Sequence, residues 1–105
     1  MTKLDNAVET SIVSEVMGKM GMLDGISKDP FVRAVRLSAN WLVDDILREP
    51  DYQIAEDSTE ASLIAERARY DMSNSLDIFE RNYNSIIVMV IEKHALDKFI
   101  ENGGE

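Results

Sequence analysis

Few residues in this chain have types and spacing suited to chemistry. His94 is the only histidine, and seven acids (Asp44, Asp45, Glu49, Asp51, Glu56, Asp57 and Glu60) crowd into the stretch "DDILREPDYQIAEDSTE" around a single arginine. Paired carboxylates can bind Mg²⁺ or Ca²⁺ or do acid–base work. The spacing here contains no D-x-[DN]-x-[DN]-G core of a calcium loop. His94 has Glu92 two residues before it and Asp97 three after, while Ile91 stands where a di-iron E-x-x-H pair needs glutamate. A zinc site would need several further ligands around it. The sequence therefore predicts a histidine near a helix end bonded to a neighbouring acid. The acids read as a solvated helix-end loop or, functionally, as an acidic docking patch.

Other catalytic sets are missing from the sequence. Ser73, Ser75 and Ser85 have no histidine close by, there is no cysteine, and the early glycines 18, 21 and 25 fit no nucleotide fingerprint. The expectation is a non-catalytic chain with no cofactor and no metal. A helical enzyme holding metal through carboxylates is the alternative. Two arginine pairs, Arg33 with Arg36 and Arg67 with Arg69, have the spacing to hold a phosphate or a partner's carboxylate. Leu37 and Trp41 fall off the inner stripe of their helix and are candidate interface anchors.

Twenty acids against eleven bases give a net charge of −9. That field repels nucleic acid and anionic membrane surfaces. The expected partners are proteins, including one with a basic surface. In a second reading the acids of residues 44–60 imitate phosphates and occupy the groove of a DNA- or RNA-binding protein. The longest apolar run is six residues, far short of the ~20 that cross a bilayer. The start, "MTKLDNAVET", lacks the basic and apolar regions of a signal peptide. Together these predict a cytoplasmic protein.

Helices must position these groups. Prolines and glycines are sparse, and apolar residues recur at steps of three and four, so the sequence predicts one all-α domain over residues 1–105. A first helix is expected over 3–20, with Thr2 as its cap, the stripe Leu4, Val8, Ile12, Val16 and Met20, and a left-handed stop at Gly21. A second is expected over 30–49, capped by Asp29, carrying Phe31, Val35, Ala39, Leu42 and Ile46, and ended by Pro50. A third is expected over 58–101, opened by Asp57 or Ser58 with Glu60 in a capping box. It is bent or broken, if anywhere, within 71–85, where serine and asparagine weaken it. Three long segments thus make a helical bundle. Glu15–Lys19, Asp29–Arg33, Asp44–Arg48 and Asp77–Arg81 each place an acid four residues before a base, the favourable order on a helix.

One stretch does not fit a two-sided helix. Residues 86–91, "IIVMVI", have no polar side, and Ala95, Leu96, Phe99 and Ile100 keep two faces apolar beyond it. A helix apolar all round is buried all round. A third helix of this length outlasts the first two, so either it folds back or a second copy of the chain covers it. Both make 86–100 the most buried part of the assembly. The leading expectation is self-association, to a homodimer or higher, through Ile87, Val88, Val90, Ile91, Leu96 and Phe99. The function that follows is a small acidic protein-binding or inhibitory module.

Overall fold

The computed structural model describes residues 4–21, 27–101 and 103. Every regular element among them is helical: α1 (Asn6–Lys19), α2 (Asp29–Asn40) running into a π-helical turn (Trp41–Ile46), α3 (Thr59–Met72) and α4 (Leu76–Glu101). The all-α class expected from the spacing is present. The count differs, because the stretch expected as one segment over 58–101 is two helices.

The break is a left-handed C-cap. Asn74 takes φ 56°. Its N–H donates to Asp71 O at 3.0 Å, and the Ser75 N–H reaches back to Tyr70 O at 2.8 Å. Two carbonyls that the end of α3 would leave orphaned are satisfied in a Schellman arrangement. Asparagine tolerates this backbone region better than most L residues. The Ser75 carbonyl then accepts from the Ile78 and Phe79 N–H groups at 3.0 and 3.1 Å, which starts α4.

The other boundaries follow local chemistry. Asp5 caps α1 by accepting from the Val8 N–H at 2.9 Å; the expected cap, Thr2, lies outside the described residues. Gly21 has φ 69°, the left-handed stop its position predicts. Ser58 caps α3, its hydroxyl accepting from the Ala61 N–H at 3.0 Å. Asp29 opens α2 as its first residue, one position from its expected place as the cap. The Leu47 N–H reaches Leu42 O at 2.9 Å across five residues. The widened π-turn brings consecutive residues Leu42 and Val43 both fully into the core. The helix ends at Ile46, short of Pro50: Arg48 is left-handed at φ 56°, and the Glu49 N–H closes the turn on Val43 O at 2.9 Å.

The core forms around α3, which packs against α1, α2 and α4. Its Ile64, Ala65 and Ala68 are fully buried, as are Val16 of α1, Val35 of α2 and Phe79 of α4. Alanine at two of these positions lets neighbouring backbones come close. An aromatic cluster seats α4: Phe79 stacks on Tyr83 at 4.9 Å and meets Trp41 edge-on at 5.8 Å and Tyr70 at 5.7 Å. Each such pair adds about 0.5–1.5 kcal/mol beyond its area.

The expected centrality of residues 86–100 is not observed. The burial they were expected to have belongs to α3, and α4 contributes Phe79, Ile87 and Val90 as its buried residues. The cause is length. α4 has 26 residues and α3 has 14, or about 39 Å against about 21 Å at 1.5 Å per residue. From Ala95 to Glu101 every residue is exposed. Because the break between α3 and α4 depends on the left-handed residue, Asn74→Val should lower the unfolding free energy by about 1–2 kcal/mol in urea denaturation, with the helix content retained.

Candidate functional site: two buried carboxylate clusters and an open helix face

Glu60 stands in the first turn of α3, and its side chain is 1% exposed. A dehydrated carboxylate is costly unless donors surround it. Two elements, α4 and the loop before α3, supply them. His94 of α4 places Nε2 3.0 Å from Glu60 Oε2, and the Tyr52 hydroxyl donates to the same oxygen at 3.2 Å. Lys93 lies 3.9 Å away. The second ring nitrogen of His94, Nδ1, is 2.9 Å from Glu49 Oε2, and Lys98 closes on Glu49 Oε1 at 3.1 Å. Tyr52 stands edge-on to the imidazole with ring centroids 4.5 Å apart.

The electrostatics follow from this geometry. Desolvation pushes the Glu60 carboxyl up. Hydrogen bonds from His94 and from its own backbone N–H, with the Lys93 charge and Tyr52, outweigh it, so the group titrates below the usual carboxylate range. Desolvation likewise raises Glu49, and His94 and Lys98 bring it below its ordinary value. Desolvation and the Glu60 charge drive the Tyr52 phenol up to about 12, so it stays a donor.

A second cluster lies one and a half turns along α3. Glu66 accepts from Lys19 of α1 at 2.6 Å, from Arg69 at 2.6 Å and from the Tyr83 hydroxyl of α4 at 2.8 Å. Desolvation works against its ionisation, but Arg69, Lys19 and Tyr83 together hold its carboxyl down at about 2. This cluster ties three helices together.

The sequence-predicted residues divide accordingly. Of the acidic patch, Glu49 and Glu60 turn inward to His94, which corrects their assignment to a docking surface. Asp44, Asp45, Asp51, Glu56 and Asp57 are exposed. His94 was expected to bond a neighbouring acid. It bonds acids 45 and 34 residues away instead. Glu60 does not close the capping box; its Oε2 faces His94 and Tyr52 instead. Arg36 pairs with Glu9 at 2.6 and 3.2 Å. Arg67 donates to Ser38 at 3.2 Å and covers the Trp41 ring at 4.8 Å, and Arg69 serves Glu66. Trp41 is thus partly buried, while Leu37 is open. Glu15–Lys19 closes at 3.2 Å as its spacing predicts.

The self-association set also divides. Ile87 and Val90 are 9% and 2% exposed, inside the chain's own core, and are not available to a second copy. Val88, Ile91, Leu96 and Phe99 face outward with Met89 and Ile100, all between 40% and 64% exposed. Val88, Ile91, Ala95 and Phe99 follow steps of three and four, and Met89, Leu96 and Ile100 run beside them, so they form one strip about 18 Å long. Among the described residues no group of three or more histidine, cysteine or acidic side chains has a metal-binding arrangement, and no helix is long and apolar enough to cross a membrane.

Compared with family models, curated proteins and solved structures, the chain matches none of them.

Glu66→Gln leaves Lys19 and Arg69 facing a neutral group and should lower the unfolding free energy by about 2–3 kcal/mol. The folded carboxyl titrates below the unfolded one, so its contribution is complete above about pH 5 and is lost as the pH falls toward 2. Urea denaturation across that range should give a flatter stability profile for the variant than for the native chain.

Proposed function

We propose that the chain is a small, acidic, non-catalytic protein-binding or inhibitory module that self-associates through the outer face of α4. The observation that carries this reading is the strip of Val88, Met89, Ile91, Leu96, Phe99 and Ile100, left open along the C-terminal half of α4. Single exposed apolar residues are ordinary, whereas a continuous strip at helical spacing is an interaction surface.

Charge argues for a second copy as the occupant. The chain carries −9, but residues 86–100 hold two acids, Glu92 and Asp97, and two bases, Lys93 and Lys98. Lys93 and Lys98 reach inward to Glu60 and Glu49, so a like copy meets little charge on the strip itself, Glu92 being the acid at its spacing. Antiparallel pairing over this segment sends the two acidic bundles to opposite ends, where repulsion across more than a Debye length is screened. A stable pair needs roughly 800 Å² from each partner, so the strip forms the centre and side chains flanking it form the rim. The remaining exposed acids, Asp44, Asp45, Asp51, Glu56 and Asp57, suit a partner protein with a basic surface. Imitation of nucleic acid draws less support, because Glu49 and Glu60 are engaged inside the chain.

Light scattering tests the pairing. The native chain should show about twice its 11.9 kDa mass, falling on dilution. Val88→Asp and Phe99→Asp should each shift the mass to that of one chain, with helix content retained because neither residue is in the core. A native chain that stays single at every concentration would overturn the proposal, as would variants that pair undiminished.

A further inference from the structure

We infer that His94 is a proton-operated latch: the doubly protonated ring fastens the C-terminal half of α4 to α3 and to the loop after the π-turn, and loss of one ring proton loosens it. The latch concerns the helix within one chain and stands whether or not the strip meets a second copy.

The geometry leads to this directly. Both ring nitrogens lie at hydrogen-bond distance from carboxylate oxygens, 2.9 Å to Glu49 and 3.0 Å to Glu60. Carboxylates that remain ionised can only accept, so both nitrogens must donate, and only the imidazolium has two N–H groups. The neutral ring points a lone pair at one of the two oxygens. The imidazole side chain is 11% exposed, which limits the water able to step in.

Every charged or titratable group facing the ring works in the same setting. α3 contributes Glu60, and the loop contributes Glu49 and Tyr52. α4 itself contributes Lys93 beside Glu60 and Lys98 on Glu49, with Asp97 near Tyr52. Without the ring proton, two carboxylates share two lysines that are each more than half exposed. Among the described residues, the other contacts that hold the far end of the helix are those of the exposed Lys93 and Lys98. Beyond Val90, His94 is the one residue of α4 that is not exposed. Strain points to the same place. Arg48 and Asp57, both left-handed with φ 56° and 60°, flank the loop that delivers Glu49 and Tyr52. Non-glycine residues are held in that region only when their surroundings fix them.

The sign follows. The latch is closed where the carboxylates are ionised and the ring is protonated. It opens as the pH rises far enough to take one of the two ring protons, which leaves a lone pair facing a carboxylate oxygen. It also opens in strong acid, when Glu49 and Glu60 take up protons.

Amide hydrogen exchange on the full chain carrying Phe99→Asp reads the latch without any contribution from pairing. Protection factors for residues 94–101 should fall about tenfold between pH 6 and pH 8.5, with α3 unchanged. His94→Gln should remove that difference. Glu49→Gln should reduce it, since an amide can accept from Nδ1 or donate to it and the ring no longer needs both protons. Equal protection at the two pH values with His94 present would overturn the latch, as would a fall of the same size in both variants. Should His94→Gln fail to fold, the Glu49→Gln comparison and the ring-proton shifts of this single histidine decide the matter. Ring-proton shifts that titrate while protection of 94–101 stays constant would count against it.

Discussion

Two carboxylates on the most buried helix of this chain cannot be dehydrated alone. Glu60 and Glu66 both sit on α3, and each collects its donors from other elements: Tyr52 and His94 for the first, Lys19 and Tyr83 for the second. Small side chains such as Ala65 and Ala68, buried on α3, restrict the sliding of α1 and α4 less than larger ones would. The carboxylates remove that freedom. Lys19 fixes the end of α1, Tyr83 fixes the middle of α4 and His94 fixes its far half. Removing either carboxylate leaves its donors without an acceptor, whereas removing both together with their donors could be neutral. The polar clusters specify which packing occurs more than they deepen it.

The π-turn belongs to the same constraint. An α-helical continuation of α2 would bury Leu42 and leave Val43 at the edge. Widening the turn buries both and re-aims the chain, so that the left-handed Arg48 places Glu49 beside His94. Glycine would adopt that conformation with less cost. An arginine held there shows that neighbouring contacts outweigh the local preference. The loop from Glu49 to Asp57 is accordingly an arm that holds Glu49 and Tyr52 against one imidazole, with Ile54 buried beneath it.

Much of the fold was legible because helical spacing is a local signal. The stripes of α1 and α2, the Ser58 cap and the Gly21 stop follow from residue types and steps of three and four. The break at 73–75 lay inside the stretch marked weak, but Asn74 in a left-handed cap is not distinguishable by sequence from an asparagine within a helix. The centre of the bundle was misplaced for a physical reason. Residues 86–91 are the most apolar in the chain, but α3 is shorter, richer in alanine and flanked on more sides, and close approach decided burial. The His94 cluster was not legible, because its partners lie far away in sequence. The signals that pointed toward it were Glu60 in an apolar register beside Ala61 and Ile64, and a lone histidine in a chain of acids.

The same two features account for the open strip. α4 needs only its inner stripe, Phe79, Tyr83, Ile87 and Val90, to lie on α3, and His94 extends that attachment one further turn by polar means. A helix held this way has no need of apolar residues on its outer side, where lysine and glutamate would serve solubility better. Val88, Met89, Ile91, Leu96, Phe99 and Ile100 therefore add nothing to the isolated fold and carry a solubility cost. In the pairing proposed above they form half of a contact. In the proposed pairing, another copy of the same helix is the partner that brings little charge against this segment of an otherwise acidic molecule.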